Sequence, residues 1–568
     1  MHLKKTGPLA RKYLALMTTQ MFSTGRVPNI WKRAIVVPLL KPGKPPDDAT
    51  SYRPVSLLSP IARTFERIAL PVITQSVNLP ITQHGFRKGF STTTALCSLT
   101  EDICAGLNKK RPPDRTVVVA LDLKRAFDTV NHEKLHSTIL NSNLPNFMKI
   151  WLYCYLTGRE QRTLFEDTLS NSTRLLSGVP QGGVLSPLLF SWYMSDMPEP
   201  KDERVKVVCY ADDITVYSQD KDYRCAVSRI NNYLEQINEY LESKQLYASP
   251  AKCSALLISP WSKEWSQHLG VKLGQSEIPT VKELKLLGVL LDNGFNFGKH
   301  VEKVSNIASK RNSVIKALTT PSSGLQKEGL TSIYKALTRS TLNYAAPAWC
   351  LQVPRSGWEK LERRQNEAMR AITGCIKMSD IDLLRHETRC IPIESHCKLL
   401  AAQFAARAER EGHPIKTCLH RKHDRKMKNH LLNHLDSCKE KFEISEEISG
   451  KELSHLLHTE FVSSCLTGYN DNKLLMERPE IDPGKVDEME KNLTRQERVT
   501  LAQLRSSYCP LLRDYQYRIG KTTNNICRNC QTEVETANHA LECIAKIDPK
   551  CLWTDPEKAV KAIQILRA

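Results

Sequence analysis

The chain is predicted to adopt an α+β fold, mixed in its first half and mostly helical in its second. Residues 116–121 (TVVVAL) are β-branched and flanked by charges, which is typical of a buried strand. Strand-like and helix-like segments alternate up to about residue 290, which favours layers of sheet and helix. From about residue 300 to 375, and more weakly beyond, apolar residues recur at helical spacing.

The remaining early elements follow from local patterns. Residues 34–40 predict a short strand that ends at the proline and glycine after Lys41. Residues 55–77 and 126–140 carry apolar positions at helical spacing and predict two helices. Residues 205–217 (VKVVCYADDITVY) predict two strand arms joined by a tight turn.

Composition and charge limit the class of protein. At roughly 150 residues per domain, 568 residues correspond to three or four domains. Lysine and arginine number 81 against 61 acidic residues, a net charge of +20, which favours nucleic acid as partner and an anionic membrane surface second. Mean hydropathy is −0.38, and neither a membrane span nor a signal peptide is predicted. A membrane protein and a secreted protein are therefore both poor interpretations.

The cysteines crowd toward the C-terminus, where 11 of the 18 lie from Cys375 onward. Without an export signal, most are predicted to be buried thiols. Cys527, Cys530, His539 and Cys543 have the ligand types and a plausible spacing for tetrahedral zinc. The alternative is a coincidence in a cysteine-rich tail.

Three aspartates lie where burial discourages charge. Asp122 directly follows the strand 116–121, and Asp212 and Asp213 interrupt the apolar stretch 205–217. Adjacent carboxylates repel each other and lose hydration between buried strands, and a divalent cation such as Mg²⁺ removes both penalties. The alternative is an ordinary hairpin turn with solvated aspartates.

A glycine turn lies between the two acidic sites. In residues 177–190 (SGVPQGGVLSPLLF), Gly182 and Gly183 open onto an apolar helix, and Gln181 offers an amide beside them. Glycines let backbone approach a ligand closely, although a plain loop entering a helix explains the pattern as well. The acidic strand end, the glycine turn and the acidic hairpin follow one another in the order and spacing of the palm of a reverse transcriptase.

The sequence resembles the polymerases of non-LTR (LINE-type) retrotransposons, most closely the jockey/CR1-like group. The resemblance covers roughly residues 28–295 and rests on these strings in family order: KPGKPPDDATSYRPVSLLSPIARTFERI, QHGFRKGFSTTTAL, VVVALDLKRAFDTVNHEKL, GVPQGGVLSPLLFSWYMSDM, YADDITVY, LYASPAKCSALL and LKLLGVLLD. It implies a right-hand polymerase with fingers, a ferredoxin-like palm and a helical thumb. The implied divisions are an N-terminal segment with fingers (1–110), the palm (111–298), the thumb (299–378) and a mostly helical C-terminal region (379–568).

By this resemblance the protein is an RNA-directed DNA polymerase that extends a DNA primer on an RNA template. Asp122, Asp212 and Asp213 would hold two Mg²⁺ ions (Mn²⁺ being the alternative ion), and Leu123 would add its backbone carbonyl. One ion lowers the pKa of the primer hydroxyl and the other neutralises the departing pyrophosphate. The implied partners are template RNA, primer or target DNA, and deoxynucleoside triphosphates; no membrane and no specific protein partner is implied.

The resemblance also assigns nucleotide contacts. Phe127 stands where the family keeps an aromatic steric gate against the 2′-hydroxyl, although its periodicity alone favours a core aromatic. Gln181 and Gly182 match the nucleotide-contacting pair. Lys41 and Arg53 match the fingers residues that grip the triphosphate.

Other residues are assigned more weakly. Lys252 resembles the lysine that protonates pyrophosphate, but Ser249 stands where an asparagine is usual. Leu287 and Gly288 match a primer-grip hairpin, and Arg87 and Lys88 a template-contacting segment. The thumb-like block is expected to track duplex phosphates through basic residues, although a solvated helix face explains any one of them: Lys303, Lys310, Arg311, Lys316, Lys335 and Arg339.

The C-terminal region gives less specific signals. Relatives of this group often carry a Cys-Cys-His-Cys cluster near the C-terminus, so the cluster at 527–543 is expected to be a structural zinc clip that helps bind nucleic acid. The histidines at 420, 423, 430 and 434 are expected on a basic surface, and residues 477–487 on an acidic surface or linker. A nuclear location or a cytoplasmic ribonucleoprotein is implied, with residues 421–428 as a weak import signal.

The chain also departs from the family pattern. Autonomous elements carry an N-terminal endonuclease, and Met1 here stands just before the fingers, so we expect a truncated reading frame without that domain. An inactive nucleic-acid-binding remnant is the main alternative function, and the intact triad, Gln181 and Phe127 argue against it. A generic metal nuclease is the third, and the Gln181 loop fits it poorly.

Overall fold

The computed structural model describes residues 7–109, 112–320, 325–409, 413, 415–420, 429–445, 448, 450–467 and 490–567. The described chain divides into two compact units. Unit 1 comprises Met1–Gly288 with Asp292–Gly294, and unit 2 comprises Val289–Leu291 with Phe295–Ala568. The finer predicted boundaries at residues 110 and 378 remain predictions.

Unit 1 is mixed α/β. Its helices are α1 (Pro8–Thr24), α2 (Pro60–Ser76), α3 (Thr92–Leu107), α4 (His132–Leu140), α5 (Asn146–Leu156), α6 (Ser186–Tyr193) and α7 (Tyr223–Ser243). Its strands are β1 (Arg33–Leu40), β2 (Tyr52–Leu57), β3 (Arg115–Leu121), β4 (Arg159–Phe165), β5 (Thr168–Leu169), β6 (Thr173–Leu175), β7 (Val205–Tyr210), β8 (Asp213–Asp220), β9 (Ser254–Ile258), β10 (Lys272–Leu273), β11 (Ser276–Glu277) and β12 (Glu283–Leu286).

The central sheet of unit 1 has, among the described residues, the strand order β7-β8-β3-β9 with antiparallel neighbours. Val117 and Val119 of β3 belong to the main core together with Ile230 and Leu234 of α7. Helix α7 begins at an N-cap, Asp222, whose carboxylate accepts from the Arg224 N–H at 3.0 Å. Its buried positions recur at helical spacing, which explains why it lies against the sheet.

A second sheet of unit 1 has the order β2-β1-β4, with β5 and β6 both pairing with β4. Strand β1 is antiparallel to β2 and parallel to β4. The predicted strand at 34–40 and the predicted hairpin at 205–217 are thus confirmed.

Two predicted helix starts were wrong. The segment from residue 55 begins as strand β2, because Val55 pairs with Val37 of β1, and the helix starts only at Pro60. Residues 126–128 form a turn, Asn131 forms a bridge with Ser177, and α4 starts only at His132, where the Asn131 side chain accepts from the Lys134 N–H. In both cases partners distant in the sequence outweigh helical spacing: β1 pairs with the first segment, and the Val179 and Gly178 N–H groups donate to the Phe127 and Val130 carbonyls of the second.

Unit 2 is helical among the described residues apart from β13 (Val289–Asp292), which it shares with unit 1. Its helices are α8 (Gly298–Ala317), α9 (Lys327–Tyr334), α10 (Ser340–Leu342), α11 (Arg355–Thr373), α12 (Ile381–Thr388), α13 (Ile393–Ala408), α14 (Lys416–His420), α15 (Leu431–Lys441), α16 (Gly450–Thr467), α17 (Arg495–Arg505), α18 (Arg513–Arg518), α19 (Ala537–Cys543), α20 (Cys551–Thr554) and α21 (Pro556–Arg567). The predicted α+β class, with a helical second half, is therefore confirmed.

Unit 2 contains a buried cluster of two basic and two acidic side chains. Lys327 Nζ lies 3.1 Å from a Glu387 oxygen and 3.0 Å from a Glu490 oxygen, and Arg505 lies 2.7 Å from each of the same two carboxylates. Burial raises the pKa of Glu387, but the charges of Lys327 and Arg505 outweigh it and hold that pKa well below its usual range. The cluster links α9, α12 and α17, which carry Lys327, Glu387 and Arg505. Removing one of the four side chains would leave a buried charge uncompensated.

The cysteine prediction is confirmed for the described residues, where most thiols are buried. The histidine prediction is wrong for two residues: His430 is buried and caps α15, and His434 bonds the Lys398 carbonyl at 2.9 Å. The predictions for 421–428, which include His423, and for 477–487 lie outside the described residues, as does the side chain of His420. No described helix is both long and apolar enough to cross a membrane.

Candidate active site

The register between β3 and β8 brings the predicted carboxylates together. Leu121 lies opposite Ile214, so the next positions on the two strands are Asp122 and Asp213. Directly opposed residues of an antiparallel pair share a face of the sheet, with Cβ atoms roughly 5 Å apart. Asp212 precedes Asp213 in the turn from β7, so all three carboxylates lie at one end of the sheet.

The turn that carries Asp212 is tight and strained. Tyr210 pairs with Asp213, which leaves Ala211 and Asp212 as the two turn residues. Ala211 has φ +56°, as the first residue of a II′ hairpin turn requires. An alanine in this region costs about 1–2 kcal/mol relative to right-handed backbone, so its surroundings must hold it there.

Gln83 holds this turn. Its buried side-chain oxygen accepts from the Ala211 N–H at 2.9 Å and the Gly85 N–H at 2.8 Å, and its Nε2 lies 3.4 Å from the Ala211 carbonyl. A Cβ at Gly85 would lie 2.5 Å from the Ala211 nitrogen, so only glycine fits there. Neither role was predicted, because the partner of both residues is a turn more than 100 residues away in the sequence.

The carboxylates perturb one another. Burial, followed by the charges of Asp212 and Asp122, raises the pKa of Asp213 to about 6. Burial and Asp122 also raise the pKa of Asp212, against which the Arg53 guanidinium acts in the opposite direction. Such a cluster is stabilised by added positive charge.

Leu123 adds a backbone carbonyl beside Asp122. It forms an antiparallel bridge with Ala248, whose flanking bonds run from the Lys124 N–H to the Tyr247 carbonyl (2.7 Å) and from the Ser249 N–H to the Asp122 carbonyl (2.8 Å). Neither bond uses the Leu123 carbonyl. Three carboxylates and a carbonyl make the all-oxygen donor set that suits Mg²⁺ or Mn²⁺.

Lys252 lies in the turn that is fastened to the backbone of Asp122. Its N–H and that of Cys253 donate to the Ser249 carbonyl at 2.8 and 3.0 Å, while the Ser249 N–H donates to Asp122. The Lys252 side chain is exposed. The serine that replaces the expected asparagine thus serves as a backbone link to the acidic site.

Two hydrogen bonds between Gln181 and neighbouring segments hold the glycine turn in place. The Ser56 N–H of β2 donates to the Gln181 carbonyl at 2.7 Å, and Gln181 Nε2 donates to Asp128 at 2.9 Å. Gly182 has φ +125°, and a Cβ there would lie 2.6 Å from the Ser56 carbonyl. Any other residue at 182 would therefore displace the turn from the strand.

Phe127 lies next to this turn. Its carbonyl accepts from the Val179 N–H at 2.8 Å, and its half-buried ring stacks on Phe190 with centroids 4.6 Å apart. The ring therefore packs against the core on one side and is partly open on the other, which leaves both predicted roles available.

Glu66 is a further supporting residue that sequence reasoning missed. This buried carboxylate of α2 accepts from the N–H groups of Val184 and Leu185, at the entrance to α6. Burial raises its pKa. Within helix α2 no sequence signal distinguishes Glu66 from a solvated glutamate.

The two predicted fingers residues lie on neighbouring strands. Arg53 lies on β2 opposite Leu39, is exposed, and lies near enough to Asp212 to act on its pKa. The Lys41 amine instead donates to the Thr50 carbonyl at 2.9 Å and closes its own loop.

Three residues assigned to nucleic-acid contacts occupy special backbone or packing positions. Arg87 donates to the Pro80 carbonyl at 2.9 Å and lies over the Phe90 ring, whereas Lys88 is exposed. Leu287 and Gly288 both have positive φ, between β12 and β13.

The C-terminal Cys/His cluster converges in unit 2. One ligand atom from each of Cys527, Cys530, His539 and Cys543 lies within 4.8 Å of all the others. His539 and Cys543 lie four residues apart on α19. The two other cysteines lie in the short loop between Ile526 and Val534, which are joined by an antiparallel bridge. This is the ligand set and shape of a tetrahedral zinc site.

The surroundings of the cluster are suited to a metal as well. The His539 Nδ1 lies 2.9 Å from a Glu533 oxygen, which orients the ring so that Nε2 faces the Cys530 sulfur at 3.3 Å. Hydrogen bonds lower the pKa of Cys530 to about 5, and the largest effect comes from Thr532. This favours the thiolate, which is the form that binds metal.

A family model agrees with the site geometry. Residues 40–291 match the model described as reverse transcriptase (RNA-dependent DNA polymerase). These residues form a reverse transcriptase domain. The acidic cluster, the Gln83 clamp and the glycine turn all lie inside it.

Curated relatives extend the similarity into unit 2. The chain is 27% identical over 416 residues to the probable RNA-directed DNA polymerase from transposon X-element of Drosophila melanogaster, covering 72% of this chain and 45% of the relative. It is 29% identical over 378 residues to that of transposon BS of the same species (64% and 40%). It is 26% identical over 427 residues to the polymerase of mobile element jockey of Drosophila funebris (71% and 46%). The chain is thus similar to the RNA-directed DNA polymerases of these transposons and mobile elements, and it spans less than half the length of these relatives.

Solved structures give a weaker likeness. Telomerase from Candida tropicalis in complex with a TWJ fragment of telomeric RNA aligns with a TM-score of 0.33 at 12% identity, covering 67% of this chain and 65% of that one. The apo telomerase of the same species aligns with a TM-score of 0.31 at 12% identity.

Replacing Gln83 with methionine tests the clamp. Gln83→Met keeps length and burial but leaves two buried N–H groups without an acceptor, so stability falls by about 1–3 kcal/mol. Because the carboxylate turn loosens, kcat of primer extension is expected to fall about tenfold or more while KM for nucleotide changes little. Steady-state extension kinetics and thermal melting measure both.

Gln219→Met is the matched control, since Gln219 bonds the Asp102 carbonyl and the Thr116 hydroxyl toward the opposite end of the sheet. If both variants lose activity in proportion to their lost stability, Gln83 has only a structural role.

Proposed function

We propose that the protein is an RNA-directed DNA polymerase that extends a DNA primer on an RNA template with deoxynucleoside triphosphates. The observation that carries the proposal is the opposition of Asp122 and Asp213, with Asp212 beside them, inside a reverse transcriptase domain. The curated relatives from transposons X-element and BS are named as probable RNA-directed DNA polymerases.

Asp122, Asp212, Asp213 and the Leu123 carbonyl would hold two Mg²⁺ ions. The donor set fits, since all its ligands are oxygen and the pKa values of Asp212 and Asp213 are raised by burial and by the neighbouring carboxylates, both of which a cation offsets. Bound Mg²⁺ supplies Lewis-acid activation of the primer hydroxyl and neutralises phosphate charge. The protein's own task is to hold the carboxylates in register, through the β3–β8 pairing and the Gln83 clamp.

The neighbouring residues would position the incoming nucleotide. Arg53, exposed on β2 and near Asp212, would donate its planar fork to the triphosphate. Gln181 and Gly182 would place backbone and amide against the nucleotide, and the open side of Phe127 would exclude a 2′-hydroxyl.

Lys252 would protonate the leaving pyrophosphate from its turn beside Asp122. Lys41 would join the triphosphate contacts through its loop.

The family divisions are proposed with the activity. Residues 1–110 would form an N-terminal segment and fingers, 111–298 the palm and 299–378 a thumb, with the C-terminal region from 379. Template RNA and primer DNA would be held through Arg87, Lys88, Leu287 and Gly288. A nuclear or ribonucleoprotein location would follow from the activity.

Asp213→Asn tests the polymerase proposal. It removes one metal-binding charge, so incorporation of deoxynucleotides on a primed RNA template with Mg²⁺ is expected to fall on the order of 10³-fold, because the bound metal contributes several kcal/mol to the transition state. Asp220→Asn is the matched control, since Asp220 lies at the other end of β8 and pairs with Arg204 and Arg229.

Wild-type extension that survives in the control and is lost in Asp213→Asn supports the proposal. A folded wild-type protein that binds RNA but extends no primer supports instead an inactive nucleic-acid-binding remnant.

We infer that Cys527, Cys530, His539 and Cys543 bind one structural Zn²⁺. Support comes from the convergence of the four ligands and from the contact of Glu533 with His539 Nδ1, which orients the imidazole ring. Asn529 also donates to the Cys543 sulfur at 3.2 Å. The clip would hold α19 against the turn at 526–534 and so stabilise the C-terminal end of the nucleic-acid-binding region.

Metal analysis of the full chain tests the zinc proposal. We expect about one zinc per chain, lost in Cys530→Ser, because a structural site uses all four ligands. A strong chelator should lower the melting temperature of the wild type and have no further effect on the variant. Cys225→Ser, at an exposed cysteine, should retain the metal. A zinc-free wild type whose melting is unchanged by chelator would contradict the proposal.

A further inference from the structure

Two segments of unit 1 lie against each other along their backbones: the turn that carries Phe127 and the glycine turn. The Val179 N–H donates to the Phe127 carbonyl at 2.8 Å. Gly178 has φ +87°, and a Cβ there would lie 2.8 Å from the Asp128 carbonyl oxygen. Backbone contacts therefore hold the two segments together, whatever the side chain at position 128.

The side chains of Asp128 and Gln181 form a further link between the same segments. Gln181 Nε2 donates to an Asp128 carboxylate oxygen at 2.9 Å, and both residues are half-buried. A carboxamide has a donor side and an acceptor side, whereas an ionised carboxylate only accepts. The bond therefore turns Gln181 Nε2 toward Asp128 and Oε1 away from it.

The amide oxygen of Gln181 is free to bind a ligand. Gln181 Oε1 accepts no hydrogen bond from the residues that the structure describes, and it does not belong to their buried polar atoms without a partner. The oxygen is therefore accessible, on the residue that follows the backbone link to Phe127 by two positions. Its accessible side offers an acceptor and no donor.

The charge of Asp128 fixes this orientation. Burial raises the pKa of Asp128, while the hydrogen bond from Gln181 and then the charge of Arg125 act in the opposite direction. A partly desolvated carboxylate is stabilised by a donor. The reversed amide would replace that donor with Oε1, an oxygen facing an oxygen, so the observed orientation is strongly favoured.

We propose that Asp128 is a positioning residue for the incoming deoxynucleotide, because it holds the Gln181 amide with Oε1 facing the nucleotide as an acceptor. The inference rests on the proposed polymerase function, in which Gln181 contacts the nucleotide. Asp128 needs no contact with the substrate. Its side chain therefore matters for nucleotide binding only while Gln181 is present.

The test measures binding of the next complementary deoxynucleotide to the full chain on a primer–template duplex whose primer ends in a dideoxynucleotide, so that no bond forms. For Asp128→Ala we expect Kd to rise about tenfold, because the amide loses the charged partner that orients it. Gln181→Ala should raise Kd at least as much. Adding Asp128→Ala to Gln181→Ala should change Kd less than about twofold, since the two side chains act as one unit.

Ser177→Ala is the matched control. Ser177 Oγ donates to the Asp128 carbonyl at 3.1 Å, so it joins the same two segments without contacting Gln181. This variant should bind the nucleotide as wild type does. The isosteric Asp128→Asn tests the same point if Asp128→Ala melts early: it offers Gln181 both an acceptor and a donor, so both amide orientations are allowed and Kd should rise about twofold.

An equal loss of affinity from Asp128→Ala in the wild-type and Gln181→Ala backgrounds would overturn the proposal, in favour of a direct contact between Asp128 and the nucleotide. An equal loss in Ser177→Ala would overturn it in favour of a purely structural role. Extension of an unblocked primer reports separately on the polymerase proposal. The expected binding pattern without extension would support the role of Asp128 and contradict the polymerase activity.

Discussion

The antiparallel pairing of β3 with β8 places Asp122 opposite Asp213, and the chemistry proposed for unit 1 depends on that register. A slip of one residue would turn one of the two carboxylates to the other face of the sheet. The register is specified because both strands are buried, with Val117, Val119 and Val216 in the core beneath α7. Hydrophobic burial far from the reacting atoms thus sets the position of the charges.

Like charges brought this close repel each other, so the backbone around them has to be held. Gln83 holds the turn at Ala211, Glu66 holds the entrance to α6, and Ser56 holds the turn at Gln181. Each contact satisfies a backbone polar group, so each stabilises the fold while fixing the site. The strain at Ala211 is localised where the carboxylates must project, a common location for strained backbone at functional sites.

Sequence reasoning predicted the residues that are proposed to bear the chemistry, but it did not predict the residues that support them. Asp122, Asp212 and Asp213 could be recognised because charge interrupts buried strands, and Cys527, Cys530, His539 and Cys543 because of their spacing. Gln83 and Glu66 could not, since their importance depends on partners more than 100 residues away. The two misplaced helix starts have the same cause, because strand pairing at Val55 and the bonds from the Val179 and Gly178 N–H groups to the Phe127 and Val130 carbonyls override local periodicity.

The most direct test of the central claim is to locate the metal ions themselves. Crystals of the protein with a primer–template duplex, an unreactive deoxynucleotide analogue and Mn²⁺ should show two anomalous peaks roughly 3.5–4 Å apart, within coordination distance of Asp122, Asp213 and the Leu123 carbonyl. Asp213→Asn crystals grown alike should lose at least one peak. Manganese bound away from these residues, or both peaks unchanged in the variant, would contradict the account.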